Sequence, residues 1–269
     1  MKIKCRGIHY NVEVVGVGEP LVCLHGFTGD NSTWDAILPY LSPTMQVIKV
    51  DLIGHGKTDV PESPQRYSMI EVLQDIKIIL DHLELATVNI LGYSMGGRVA
   101  LAFALNYPQS VKTLLLESAS PGLETWEERR NRQRQDDALA QKILNEGIVS
   151  FINFWETLSL FSGLQNLSRI EKGKLREQRL RNNPIGLANS LKAMGTGVQE
   201  SYWERLSELI NNVELIVGEQ DKKFVMIANK MKQRLPRCVI HSVSDASHTI
   251  HVEQPEKFGT IVNGALITT

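Results

Sequence analysis

Residues 87–105 read TVNILGYSMGGRVALAFAL: a β-branched apolar run, a serine flanked by glycines, then an unbroken apolar stretch with helical character. This is a strand that passes through a tight turn directly into a helix, with Gly92 and Gly96 leaving room and Ser94 at the apex. A serine held there takes a strained backbone conformation, and its hydroxyl projects above the sheet. The helix N-terminus behind it favours developing negative charge. So apolar a strand and helix need cover on all sides, and the rest of the chain supplies it. Short runs such as PLVCLHG, MQVIKVD, VKTLLLES, VELIVGEQD and RCVIHSVSD read as further strands, and the N-terminal MKIKCRGIHYNVEVVG alternates like one. Between them lie helical patterns. MIEVLQDIKIILDHLEL places Ile70, Leu73, Ile76, Ile79, Leu80 and Leu83 on one face, GGRVALAFALNYP runs to Pro108, and QPEKFGTIVNGALI closes the chain. Strands alternating with helices predict an α/β fold, a mostly parallel twisted sheet covered by helices on both faces.

One interval breaks this rhythm. From Pro121 to Leu206 no convincing strand appears; the segment is rich in Arg, Glu, Gln and Asn, with aromatics at Trp126, Phe151, Phe154, Trp155 and Phe161. The expected organisation is a core made of 1–120 and 207–269, with 121–206 inserted as a helical lid over the strand ends. Composition narrows the partners. With 29 basic and 30 acidic side chains the net charge is −1, so the basic excess of a nucleic-acid binder is missing. Any anion recognition must come from a few placed arginines. Cys5, Cys23 and Cys238 are far apart and odd in number, which indicates neither a disulfide framework nor a zinc site. The chain shows no signal-peptide core and no run long enough to span a bilayer. These features predict a cytoplasmic enzyme acting on a small molecule, without membrane insertion; they are compatible with a monomer and leave the oligomeric state open.

A serine hydroxyl becomes a nucleophile or base only when something takes its proton. The partners should follow in the order Ser, acid, His. ELIVGEQDKKF places Asp221 just past a strand end, and SVSDASHTIHVEQP places His248 in the loop after the last strand. Asp221 would hold the imidazole in the useful tautomer. Among the rivals, Asp245 reads as a turn former and His251 as a capping or packing residue; Glu219 is a further rival acid. His9, His55, His82 and His241 lack a supporting pattern. An oxyanion hole needs two backbone donors aimed at one point. The amide of Met95 follows the serine, and LVCLHGFTGDNSTW offers the amide of Phe27, with His25 bracing the loop.

The combination of HGF, GYSMGG, a late Asp and a late His resembles the α/β-hydrolase fold along the whole chain. That resemblance implies a fold but no particular reaction. Arg98, one turn beyond Ser94 on a helix bound for the core, raises the further question. Both a structural ion pair and a substrate anion account for it. More cations occur in WEERRNRQRQDD (Arg129, Arg130, Arg132, Arg134), where Glu128–Arg132 and Arg132–Asp136 are possible helical pairs. QRLRNNPIG adds Arg179 and Arg181. Spacing alone does not choose among them.

GYSMGGR, ESASPGLETWEERRNRQRQDD, FINFWETLSLFSGL and LRNNPIG together are similar to the MenH family of menaquinone biosynthesis, the 2-succinyl-6-hydroxy-2,4-cyclohexadiene-1-carboxylate synthases. The resemblance implies a lyase that eliminates pyruvate from a polycarboxylate substrate, with no metal and no organic cofactor. It places the triad on Ser94, Asp221 and His248. The pocket tyrosine falls on Tyr93, the lid tryptophan on Trp155, and the substrate-binding arginines on Arg98, Arg132 and Arg181. A serine hydrolase of an ester, a lactone or a vinylogous carbon–carbon bond would use the same triad. A non-catalytic binding protein of this fold is disfavoured by the complete triad.

Overall fold

The computed structural model describes residues 1–267. Eight strands form one sheet in the order β1-β2-β4-β3-β5-β6-β7-β8: β1 (Lys2–Cys5), β2 (Ile8–Val15), β3 (Glu19–Leu24), β4 (Met45–Val50), β5 (Val88–Tyr93), β6 (Val111–Glu117), β7 (Asn212–Gly218) and β8 (Cys238–Val243). The single alternating run expected at the N-terminus is a hairpin. Arg6 and Gly7, both at positive φ, turn β1 back on β2, and β2 lies antiparallel to β4. From β4 to β8 every pairing is parallel.

Strand residues divide by parity, as the pleat requires. Val22, Leu24, Ile48, Val50, Ile90, Leu114, Leu116, Leu215 and Val217 join one apolar cluster with α1 (Met69–His82), α2 (Met95–Asn106) and α6 (Lys222–Lys232). Leu21, Cys23, Val47, Leu91, Leu115 and Ile216 join a second cluster with Trp34, Ile37 and α8 (Pro255–Ile267). Both faces are covered, which is why these strands read as continuous apolar runs. In α1 the buried stripe is Val72, Leu73, Ile76, Ile79 and Leu80. Ile70, expected on that face, is exposed, because at about 100° per residue it is rotated roughly 120° from the centre of the buried stripe, while Met69 beside it packs on the core. Cys5 and Cys23 are buried free thiols, while Cys238, at the start of edge strand β8, is only half-buried.

Between β6 and β7 the described chain has no strand. It forms α3 (Trp126–Trp155), α4 (Arg169–Leu180) and α5 (Pro184–Met194), with a 3₁₀ segment (Ser159–Asn166) between the first two and a three-residue link between the last two. α3 and α4 start with full capping boxes, Thr125 with Glu128 and Ser168 with Glu171. Glu128 is thus engaged at the cap rather than with Arg132. Within α3, Gly147 breaks helical geometry at φ 80°, dividing the charged first part from the aromatic end. Ala140, Ile143, Phe151, Ile152, Leu187, Ala188 and Leu191 make a third apolar cluster, against which Phe27 of the core packs. Among the described residues no helix is long and apolar enough to cross a membrane.

Candidate active site

The site begins at the end of β5. Ser94 has φ 49° and ψ −104°, a conformation that costs on the order of 1–3 kcal/mol for a residue with a side chain. The glycines around it allow the close approach. A Cβ on Gly96 would lie 2.1 Å from the Leu24 carbonyl oxygen, and one on Gly92 would lie 2.5 Å from that of Gly96. The turn therefore clamps α2 against β3 with no side chain between.

Parallel strand order brings the partners to the same edge. Asp221 follows β7, and His248 lies in the loop between β8 and α7 (Ile250–Glu253). His248 Nδ1–H donates to Asp221 Oδ2 at 2.7 Å, and its Nε2 stands 3.2 Å from Ser94 Oγ. Both members of this dyad are buried, so the imidazole is held by its acid and aimed at the serine. Of the rivals, Glu219 is exposed and Asp245 sits at φ 58° in the turn after β8. His251 is buried against Glu117. The amides of Phe27 and Met95 have no acceptor among the described residues, and Met95 opens α2, where a free N–H is expected.

His25 braces the Phe27 loop. Its Nδ1–H donates to the Gly26 carbonyl at 2.8 Å, and its Nε2 accepts the Leu52 N–H at 3.0 Å. That pattern requires neutral imidazole, and burial lowers its pKa accordingly. His55 packs beside it, 5.2 Å between ring centroids, with its pKa pushed down by burial to about 3.

Ser94, Met95 and His248 face a cavity of about 190 Å³ whose walls include Tyr93, Arg98, Arg132 and Trp155. Trp155 meets Phe27 edge-on at 5.4 Å and Phe151 at 5.5 Å, closing the roof with aromatic surface. A larger outer cavity of about 630 Å³ shares Phe27, Tyr93 and Phe161 with it.

Arg98 is the unusual group. It is only 8% exposed, and its Nη1 donates to the Met194 carbonyl at 2.9 Å and to Gln199 Oε1 at 2.5 Å. Both acceptors are neutral. No carboxylate among the described residues lies within ion-pair reach, and its Nε and Nη2 take no protein acceptor, which leaves them to the cavity. Burial, then repulsion from Arg132, pulls its pKa down to about 10. The structural ion pair is therefore not what holds it.

The other two predicted arginines differ. Arg132 lines the inner cavity, but its Nε is paired with the buried carboxylate of Asp136 at 2.7 Å. Arg181 lies outside it, half-exposed, with Nη2 2.9 Å from Asp30 Oδ2 on the wall of the outer cavity. Two residues earlier, Arg179 is buried on the wall of the outer cavity. Its guanidinium stands 4.8 Å from the Phe161 ring centroid, and Nη1 is 3.3 Å from Glu156 Oε1. Burial lowers its pKa, opposed by Tyr93 and Glu156. Sequence reasoning named Arg179 without choosing it. Gln199, the partner that holds Arg98, carried no signal.

A serine-histidine-aspartate array on the C-terminal edge of a mostly parallel sheet defines the class. A family model described as alpha/beta hydrolase fold matches residues 19–255. A Bacillus subtilis (strain 168) protein, provisionally assigned as 2-succinyl-6-hydroxy-2,4-cyclohexadiene-1-carboxylate synthase, is 46% identical over 96% of this chain and 94% of its own length. The solved structure of MenH from S. aureus superposes with TM-score 0.91 at 35% identity, covering 97% of this chain and 98% of that one. The chain belongs to this MenH synthase family within the α/β-hydrolase fold. An esterase from Thermogutta terrifontis, solved with malate bound, reaches TM-score 0.84 at 25% identity, covering 100% of this chain and 98% of its own. The scaffold is shared with hydrolases, so the choice of reaction rests on the cavity.

Proposed function

We propose that the chain is a carbon–oxygen lyase that converts 2-succinyl-5-enolpyruvyl-6-hydroxy-3-cyclohexene-1-carboxylate to 2-succinyl-6-hydroxy-2,4-cyclohexadiene-1-carboxylate and pyruvate. The observation that carries this reading is Arg98, a buried guanidinium with neutral protein partners that faces the same cavity as Ser94. A neutral ester gives such a charge nothing to pair with, whereas a carboxylate offers a bidentate partner. The names of the relatives point to the same polycarboxylate chemistry.

The reaction consumes no water. Ser94, activated by His248 and Asp221, removes the ring proton next to the succinyl ketone, or His248 takes it directly with Ser94 positioning. The electron pair shifts through the ring double bond, the bond to the enolpyruvyl oxygen breaks, and a conjugated diene remains. The departing enolate takes up a proton as pyruvate. The Phe27 and Met95 amides hold charge that develops on the ketone oxygen. Arg98 and Arg132 grip carboxylates in the inner cavity, with Tyr93 and Trp155 shaping its walls. For the third cation we assign Arg179 ahead of Arg181, because Arg179 is buried against Phe161, a residue that both cavities share. The segment 121–206 serves as a lid, since α3 and α5 supply Arg132, Trp155, Ser190 and Met194 to the cavity wall.

The test is turnover of the enolpyruvyl substrate by the purified chain. Diene absorbance should appear in the near ultraviolet with one pyruvate per turnover. Fast cleavage of nitrophenyl esters with no pyruvate release would instead make the chain a serine hydrolase.

A further inference from the structure

Glu117 is wholly buried at the end of β6, where parts of the catalytic apparatus meet. Its carbonyl accepts the N–H of Ser94 at 2.9 Å, fixing the strained elbow from outside β5. Its carboxylate accepts the main-chain N–H of His251 at 3.0 Å. It also accepts His251 Nδ1–H, 2.9 and 2.8 Å from its two oxygens. His251 is three residues beyond His248. Its ring packs 4.7 Å from that of Tyr93, which in turn lies 5.5 Å from the His248 ring.

The loop that carries His248 is otherwise shaped from within. Glu253 accepts from the Ser247 amide, the Ser247 hydroxyl and the Thr249 amide. On the acid side, the Gln220 N–H donates to the Ala246 carbonyl at 3.0 Å. Toward the serine, Glu117 ties this loop to the end of β6, the strand beside the elbow. Strand pairing gives no reason for an acid here, since any apolar residue could end β6, and a buried carboxylate is costly unless its bonds are made.

We propose that Glu117 is a positioning residue, which sets the Ser94–His248 distance by bonding the elbow through its main chain and the histidine loop through its carboxylate. Misplacing reacting groups by about 1 Å can cost roughly 100-fold in rate, so the effect is measurable.

The experiment compares Glu117→Ala, Glu117→Gln, His251→Asn and His251→Leu with the native chain. Three readouts are taken: the rate of Ser94 labelling by a fluorophosphonate, the low-field NMR signal of the His248 Nδ1 proton, and kcat and KM for elimination. Glu117→Ala should lower labelling and kcat together by roughly 30- to 100-fold, leave KM within about 2-fold, and broaden or shift the proton signal. His251→Asn, which keeps an N–H near the position of Nδ1, should stay within about 5-fold of native, while His251→Leu falls with Glu117→Ala. Glu117→Gln should lie between, because it keeps the shape but loses one acceptor. Native labelling by folded Glu117→Ala overturns the proposal. If that variant does not fold, equal losses in His251→Asn and His251→Leu at equal Tm overturn it instead. The turnover arm rests on the proposed elimination, whereas labelling does not. A native chain that labels but releases no pyruvate would sink the elimination and leave this proposal standing.

Discussion

On the floor of the cleft Arg98 is held by a carbonyl and a side-chain amide, whereas on the helical cover Arg132 and Arg181 are each answered by a carboxylate. Among the described residues the floor holds a guanidinium bonded to neutral acceptors, two amides without acceptors, and two neutral histidines beneath them. The cover's arginines meet carboxylates, Arg132 and Arg179 within the cover and Arg181 at Asp30 of the core. The difference teaches where a substrate's charge is recognised. An arginine that already has a buried acid gains less from a ligand carboxylate than one whose protein partners are neutral.

The largest effect should follow from removing the group the floor is built around. Ser94→Ala should cut elimination by roughly 1,000-fold or more, with the fold intact, as judged by Tm and diene formation. A variant retaining a tenth of native turnover would mean that Ser94 only borders the site. Next comes Arg98→Met, which keeps volume and removes charge. We expect kcat/KM to fall by about 100-fold or more, since a buried charge partner is worth on the order of 2–5 kcal/mol. Tm should hold or rise, because an uncompensated buried charge is lost. A lower Tm with unchanged turnover would make Arg98 a structural brace and erase the contrast between floor and cover.

The cover is tested by two neighbouring changes. Arg179→Ala should lower kcat/KM by about 10-fold or more, and Arg181→Ala by no more than about 3-fold, because the half-exposed Arg181–Asp30 pair is screened by solvent. The reverse order in substrate kinetics would return the third cation to Arg181.

Those two arginines also mark where sequence reasoning stopped. The triad was legible because strand ends, glycines and chain order fix it: Ser94 after β5, Asp221 after β7 and His248 after β8. Arg98 was legible because one helical turn separates it from the serine. Near the end of α4, by contrast, two residues of offset rotate a side chain by about 200°, and only packing on Phe161 shows which of the two is buried. Glu117 was hidden for a different reason. A single acid at the end of the apolar run VKTLLLES looks like a residue leaving the sheet, and its partner His251 reads as packing. Ile70 failed in the opposite sense: it is apolar, but it is rotated off the buried stripe that Met69, Leu73 and Ile76 share.

The smallest effect concerns the neutral histidines of the floor. His25 and His55 are held below the ordinary histidine range by burial, His55 at about 3. Each stays neutral in the folded chain while its unfolded counterpart takes a proton below about pH 6.5. Stability from this source is therefore complete above pH 6.5 and declines as pH falls, by up to about 1.4 kcal/mol per pH unit for each group, until the folded pKa is reached. The loop at risk carries the Phe27 amide, because His25 bonds to Gly26 and His55 packs on Phe27 at 5.8 Å. Asp51 and Asp30 oppose the shift at His25, whereas at His55 repulsion from His25 adds to burial and outranks the opposition of Asp30, so His55 is the better probe. In His55→Asn, a side-chain N–H remains for the Ile53 carbonyl that Nδ1 now serves, but one titration is gone. Its unfolding free energy, measured by denaturant between pH 6 and 4, should fall less steeply than that of the native chain, by up to one proton's worth of slope. Equal slopes would show that His55 takes up its proton without unfolding. The floor would then tolerate the same positive charge at His55 that it holds at Arg98.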